Sequence, residues 1–453
     1  MRRIIFRSFG ILHRFSQWSR KKLTPAGTLI FFGLTFSGVF GIDTRQTLSF
    51  QIFSLLLSLL LISFLFSLFF RGRFSIQREL PDYCTVGQTM QYRVNIKNES
   101  RFAQEDLSIV EELSCAMPSF PEFLRHLKLD NKTNRFDRYI GFPLWLKLVQ
   151  FKRGASIKAT PVKSIPGSTT SRTVIRILPL RRGYINFKRS VLLRPDPFGL
   201  SNASRKINKA DSVLVLPKRY KTPRIALPGI RRYQQGGVNH AGSVGDSQEF
   251  VSLRDYRPGD PIKNIHWRSF AKQSMPIVKE FQDEFFVRIG MVLDTFLETK
   301  NEMLFEEAVS VAASLIDDPN NNDSLLDLMF VGNESYKFTS DRGITNLNRM
   351  LEILACVNAC YDKSFESLSN LVFRNIASLS ALICIFLDWD QSRQDFVKKL
   401  RALNIPVLVI ILEESSETER TSKFMPGPMQ DQPHRFHVLN QNNIAEQLRN
   451  ITF

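Results

Sequence analysis

Two apolar stretches near the N-terminus decide the architecture: LTPAGTLIFFGLTFSGVFGI at Leu23–Ile42 and LSFQIFSLLLSLLLISFLFSLFF at Leu48–Phe70. Each has about the twenty residues that an α-helix needs to cross roughly 30 Å of hydrocarbon. Only Asp43-Thr-Arg-Gln-Thr47 separates them, so the pair is expected to form a transmembrane helical hairpin with both ends on one side. A cleaved signal peptide also starts basic and turns apolar. Here a second apolar span follows at once, and no Ala-x-Ala site is evident.

Charge orients the hairpin. Arg2, Arg3, Arg7, Arg14, Arg20, Lys21 and Lys22 precede the first span, and Arg71, Arg73 and Arg78 follow the second. The connecting turn carries Arg45 offset by Asp43. Basic residues stay on the cytoplasmic side, so the expected location is the bacterial inner membrane, multi-pass, with the bulk of the chain cytoplasmic.

The formal charge of +18 over 453 residues is zoned. Residues 151–233 hold twenty Lys/Arg against Asp196 and Asp211 alone. The basic side chains are spread along expected strands without interleaved exposed aromatics, unlike a nucleic-acid surface. Anionic lipid or an acidic partner is the simpler match for a block that follows a membrane hairpin. Five scattered cysteines argue against a disulfide framework. Cys356 and Cys360, four apart, would share a helix face, where two small apolar core residues are the plainer reading.

After the hairpin, period-two alternation at Gln91–Lys97 and Thr173–Ile177, with turns at Pro166-Gly167, Arg182-Gly183 and Asp196-Pro-Phe-Gly199, predicts an immunoglobulin-like β-sandwich. Only Pro121–Lys147 suggests helix there. The pattern then changes. Apolar runs at Val287–Leu293, Ser324–Val331, Ala381–Leu387 and Ile405–Leu412 alternate with helical segments Met303–Ile316, Ile344–Cys360 and Ser392–Leu403. Continuous apolar strands alternating with helices predict a parallel sheet covered on both faces. Met425–Pro433 reads as a loop before a last short strand and helix. The expected division is a basic cytoplasmic N-terminus (1–22), the hairpin (23–70), the β-sandwich (74–220), a linker (221–285) and an α/β domain (286–453).

The linker carries the most distinctive stretch: Gly245-Asp-Ser-Gln-Glu249-Phe250-Val-Ser-Leu-Arg254-Asp255-Tyr256-Arg257-Pro258-Gly259-Asp260-Pro-Ile-Lys263-Asn-Ile-His266-Trp267-Arg268-Ser-Phe-Ala-Lys272, then Val278-Lys279-Glu280-Phe281. This resembles the bacterial family called domain of unknown function 58, with Lys263 where the pattern has Arg. Leu23-Thr-Pro-Ala-Gly27, Arg182-Gly-Tyr184 and Arg194-Pro-Asp196-Pro-Phe-Gly199 extend the resemblance along the chain. The resemblance implies an anchored protein with a von Willebrand factor A-like (Rossmann-type) α/β domain, working beside a MoxR-type AAA+ ATPase.

Read as residues, Pro258-Gly259-Asp260 is a turn signal. Arg254, Arg257, Lys263 and Arg268 have Asp255, Asp260, Glu249 and Glu280 as opposite charges, and Trp267 offers an anchor and a flat face for a guanidinium. The candidate partner-binding residues are Glu249, Phe250, Arg254, Tyr256, Pro258, Gly259, Asp260, His266, Trp267, Lys272, Lys279 and Glu280. No activated Ser or Cys and no G-x-x-x-x-G-K-[ST] accompanies them. The A-like resemblance also implies an Asp-x-Ser-x-Ser metal site, which suits Mg²⁺. The matching stretch is Asp294-Thr-Phe296-Leu-Glu298, with Asp388 or Asp390 as the second carboxylate. Phe296 has no ligating atom and Glu298 replaces a hydroxyl, so the expectation is no cofactor, with Asp294 and Asp388 the acids to watch. The sequence therefore points to a non-enzymatic, membrane-anchored adaptor. The alternative is a metal-assisted hydrolase using Asp294, Asp260 and His266.

Overall fold

The computed structural model describes residues 2–40, 47–70, 72–129, 134–222, 249–258, 260, 262, 265–273, 275–282, 288–297, 302–317, 325–340, 344–414 and 424–451. Its compact units divide mainly between Arg219 and Tyr220.

The first unit begins with α1 (Arg2–Lys22), α2 (Pro25–Phe40) and α3 (Thr47–Leu68). Among the described residues one helix, Leu48–Leu68, is long and apolar enough to cross a membrane; Pro25–Val39 is apolar but shorter. α2 and α3 lie against each other through small residues, as apolar helices do when no water drives them together. A Cβ on Gly33 would sit 3.5 Å from Leu56, and one on Gly38 would sit 3.2 Å from Phe53. Ser37 Oγ donates to Ser49 O at 2.8 Å.

The start of α2 shows why its sequence reads Thr-Pro-Ala-Gly. Thr24 accepts at its hydroxyl from Gly27 N–H at 3.0 Å, a side-chain N-cap, and Pro25 takes the first helical position where a missing N–H is harmless. Gly27 has no alternative, since a Cβ there would meet Leu200 O at 1.9 Å. Leu200 directly follows the second motif of the β-region, which ends at Gly199. Asp196 closes that turn by accepting from Leu200 N and Ser201 N, both at 2.7 Å. Thr24 N–H in turn donates to Leu200 O at 3.0 Å, and the buried Ser63 of α3 donates to Ser201 Oγ at 2.8 Å. Two motifs about 170 residues apart thus form one joint.

The sandwich has a four-stranded sheet ordered β1-β3-β7-β5 and a five-stranded sheet ordered β2-β9-β8-β4-β6. Its strands are β1 (Phe74–Glu79), β2 (Tyr83–Thr85), β3 (Met90–Asn98), β4 (Leu107–Leu113), β5 (Ala155–Ile157), β6 (Thr160–Val162), β7 (Thr170–Pro179), β8 (Gly183–Pro195) and β9 (Asn202–Leu216). The alternation read at Gln91–Lys97 buries every second residue of β3, and one core gathers Tyr92, Val94 and Ile96 with Phe187, Leu192 and Val213 of the other sheet. Deleting a ring such as Phe187 from such a core costs about 3–5 kcal/mol.

The two sheets are also pinned by charge. Arg78 Nε and Nη2 donate to Glu111 at 3.1 and 2.8 Å, and its Nη1 donates to Asp211 at 2.6 Å and Lys209 O at 2.9 Å. Nη2 also donates to Ser190 Oγ at 2.7 Å, so all five N–H groups are used. Between β4 and β5, where helix was expected only at Pro121–Lys147, three helices form: α4 (Phe120–Leu129), α5 (Arg135–Ile140) and α6 (Phe142–Arg153). Phe9 of α1 packs with Phe123, Leu127, Trp145, Leu148 and Val149 of this insertion. The basic N-terminus is therefore a helix with a buried face.

The second unit holds β10 (Glu249–Asp255), α7 (Trp267–Gln273) and β11 (Ile277–Gln282), then β12 (Arg288–Leu293), α8 (Glu302–Ile316), β13 (Leu325–Val331), β14 (Ser335–Ser340), α9 (Ile344–Cys356), α10 (Glu366–Asn375), β15 (Ala381–Phe386), α11 (Gln391–Ala402), β16 (Val407–Glu413), β17 (Phe436–Asn440) and α12 (Ile444–Arg449). Six strands form a sheet ordered β14-β13-β12-β15-β16-β17. All neighbours are parallel except β14, an antiparallel edge strand absent from the sequence expectation. Every residue of β15 is buried, as a strand covered on both faces requires. α8 is buried nearly all round, and its Ala308, Ala312 and Ala313 let it lie close to the sheet. The helix read as Ile344–Cys360 ends at Cys356, which is exposed while Cys360 is buried, so the two thiols do not share a helix face.

Candidate functional site

The first elements of the second unit, β10, α7 and β11, include one fixed turn. β10 and β11 pair antiparallel, with Leu253 opposite Lys279 and Asp255 opposite Ile277. The chain leaving β10 turns at Arg257, where Asp260 N–H donates back to Arg257 O at 3.0 Å. Arg254 Nη1 and Nη2 donate to the two oxygens of Asp260 at 2.7 and 2.8 Å, a fork-to-fork pair. Arg257 N–H adds a third bond to the same carboxylate at 2.8 Å. Arg254 first, then that backbone N–H, holds the Asp260 carboxyl down at about 2. The Arg-Pro-Gly-Asp turn is thus fixed by Arg254 on the strand before it.

α7 is tied to β11 at its start. His266 N–H donates to Ile277 O at 2.8 Å, and the His266 ring Nδ1 lies 2.6 Å from Ser269 Oγ in the first turn of the helix. Trp267 and Phe270 meet edge to face at 6.1 Å between ring centroids. Trp267 is 60% exposed and Ile262 68% exposed, with Leu253 and Met275 also open to solvent. An apolar display on a fixed polar frame is unusual for surface that meets only water.

Of the other expected residues, Tyr256 is tied by its N–H to Pro276 O at 2.9 Å, and Lys272 is exposed at the end of α7. Pro258 is exposed on the turn and Lys279 half-buried on β11. Glu249, Phe250 and Glu280 have their backbones in the hairpin, and their side chains lie outside the described residues, as do Gly259 and Lys263. The expected ion-pair lattice is therefore described at Arg254–Asp260.

The second place of interest is the carboxyl edge of the parallel sheet, where strand order reverses between β12 and β15 and ligands commonly bind. Asp294 follows β12 there and is fully buried. One oxygen accepts from Phe296 N–H at 3.0 Å; the other accepts from Leu387 N–H at 3.1 Å and from Arg393 Nε at 2.7 Å. Arg393 also reaches Asp390 at 2.9 Å and lies 4.8 Å over the Phe365 ring. Burial opposes its charge, but Asp294 and then Asp390 outweigh that and push its pKa up. Asp388 accepts from Trp389 N–H at 2.8 Å.

These residues do not fit Mg²⁺. A guanidinium already sits on the Asp294 carboxylate, and Phe296 supplies no oxygen. Among the described residues no group of three His, Cys, Asp or Glu is gathered to hold a metal. The residues of the hydrolase alternative have separate partners: Asp260 with Arg254, His266 with Ser269, Asp294 with Arg393.

Arg393 was not singled out in the sequence, though a signal existed. With Phe396, Val397 and Leu400 it falls on the buried face of α11, and a cation on that face demands a buried anion.

Residues 252–421 match the family described as "Protein of unknown function DUF58". The chain is 27% identical over 176 residues to "Uncharacterized protein YeaD" of Bacillus subtilis (strain 168), a match covering 38% of this chain and 42% of that relative. Among solved structures, the CARDB domain of a Pyrococcus furiosus protein aligns with 11% identity and a TM-score of 0.17, over 32% of this chain and 89% of that one. An alpha-2-macroglobulin mutant of Salmonella aligns with 9% identity and a TM-score of 0.17, over 33% and 8% of the two chains.

Proposed function

We propose that this chain is a membrane-anchored adaptor without catalytic chemistry of its own, whose β10–α7–β11 module docks a protein partner in the cytoplasm. In this reading α2 and α3 cross the bacterial inner membrane as a two-helix hairpin, and the C-terminal sheet is von Willebrand A-like. Counted in chain order its six strands run 3-2-1-4-5-6 with strand 3 reversed, which supports that assignment. The observation that carries the proposal is Trp267, 60% exposed at the start of α7, with His266 N–H just before it bonded to Ile277 O of β11. Aromatic anchors on rigid frames are what protein interfaces are built around. The family resemblance points to a MoxR-type AAA+ ATPase as the partner.

The test is gentle solubilisation of the tagged chain from its native membrane and identification of what co-purifies, with and without ATP. The expected result is a nucleotide-dependent AAA+ partner that is lost on Trp267→Ala. A chain that purifies alone under both conditions overturns the stable-complex form of the proposal.

A further inference from the structure

α1 is amphipathic in a way that its packing explains on one side only. Phe9 is 3% exposed, its ring 5.3 Å from Phe142 and 6.1 Å from Trp145. Phe6 adds ring contacts at 5.3 Å to both Phe120 and Phe123. The opposite face carries Ile11, Phe15 and Trp18, spaced i, i+4, i+7 and therefore in one row on a helix of 3.6 residues per turn. They are 62%, 63% and 55% exposed, and Phe15 and Trp18 stack at 5.9 Å. So large an apolar row is costly to leave in water.

Charge and continuity identify what covers it. Arg3, Arg7, Arg14 and Lys21 repeat at intervals of four and seven residues, which sets them in a second row beside the apolar one. Arg7 and Arg14 are exposed. The first 22 residues contain seven basic side chains and no acid. Only Leu23 and Thr24 separate the end of α1 from α2, and Leu23 is bridged to Ser201 beside the foot of α3. An apolar row with Trp, flanked by Arg and adjoining apolar helices, has the composition of a helix that lies in a membrane interface.

We infer that α1 lies in the plane of an anionic phospholipid interface, with Ile11, Phe15 and Trp18 at the acyl boundary and Arg7 and Arg14 at the phosphates. This rests on the embedding of α2 and α3 proposed above and adds a third membrane contact, outside the spans. Because the other face of α1 forms the core of the α4–α6 insertion, the contact holds that insertion against the lipid.

The test reconstitutes the full chain in vesicles of phosphatidylcholine and phosphatidylglycerol, and compares it with its Trp18→Phe variant. Lipids brominated just below the headgroup are expected to quench an emission component that disappears in Trp18→Phe, while aqueous iodide leaves that component intact. Arg7→Glu with Arg14→Glu is expected to reduce the quenching to the level found in pure phosphatidylcholine. Iodide quenching without bromine quenching overturns the inference. Protection from both reagents also overturns it, because the row is then covered by protein. A Leu57→Trp reporter in the Trp18→Phe background, probed with lipids brominated deep in the acyl chain, separates the two readings. If it is quenched by bromine while Trp18 is open to iodide, the inference alone fails; if neither responds to bromine, the embedding of the helices fails with it.

Discussion

Arg78 and Arg393 both bury a guanidinium among carboxylates and over an aromatic ring, yet they sit in different kinds of place. Arg78 stands between two sheets, with all five donors used and both it and Glu111 closed to solvent. Arg393 stands at a sheet edge, bonded to a buried Asp294 and to an Asp390 that is 46% exposed. The first is a closed network inside a core. The second fills a position where folds of this topology usually hold something from outside. The difference teaches that a buried ion pair acquires its meaning from what else could reach it.

The sharpest test of the contrast is Arg78→Ala. Breaking a buried pair by removing one partner costs about 3–5 kcal/mol, and Glu111 would lose the cation while Ser190 still donates to it at 2.9 Å. The expected result is a large loss of thermal stability that added Mg²⁺ or Mn²⁺ does not recover. Arg393→Ala is expected to cost about 3 kcal/mol, the lower end of that range, since two backbone N–H groups still bond Asp294. Here divalent cation should restore part of the loss, because the edge is open on the Asp390 side. Wild-type melting should not respond to the same ion. A cation response in the Arg78 variant, or none in the Arg393 variant, breaks the comparison.

Smaller effects belong to the third pair, Arg254–Asp260, which lies near the surface. Arg254→Ala should change stability little, since ion pairs near the surface contribute little, while abolishing capture of the proposed ATPase partner. On pH the sign is fixed by the lowered Asp260 carboxyl. Its stabilisation of the turn is complete above the ordinary value of 3.8 and is lost only as pH falls from there towards about 2. The stability of the turn should therefore be flat from neutral pH to about 4 and fall below that, and a change near neutrality would place a different group in control of the turn.

These contrasts also mark what the sequence could and could not convey. The alternation in β3 and the apolar runs of β15 and β16 are legible because burial on one or two faces writes a period directly into the chain. β14 went unread although Gly332-Asn333 between β13 and Ser335-Tyr-Lys-Phe-Thr339 is a hairpin signal; the strand is short and half polar. The motif turn could be read as a turn, but the choice of Arg254 as the residue that fixes Asp260 could not, because four basic residues nearby had equal claim. Arg78 was visible only as a positive charge after the second apolar span. Its partners, Glu111 and Asp211, are 33 and 133 residues away, and no local pattern joins them.

The joint at Gly27 has a mechanical consequence. Leu200 O occupies the space a side chain would need, and Thr24, Ser63 and Ser201 bond around it. Past α3, Phe70 is 5% exposed with the Arg194 guanidinium 4.8 Å over its ring. Among the described residues the sandwich is thus tied to the helices at several points. With α2 and α3 in a bilayer, a twist applied to the sandwich would reach the lipid as torque, where a flexible tether would have absorbed it.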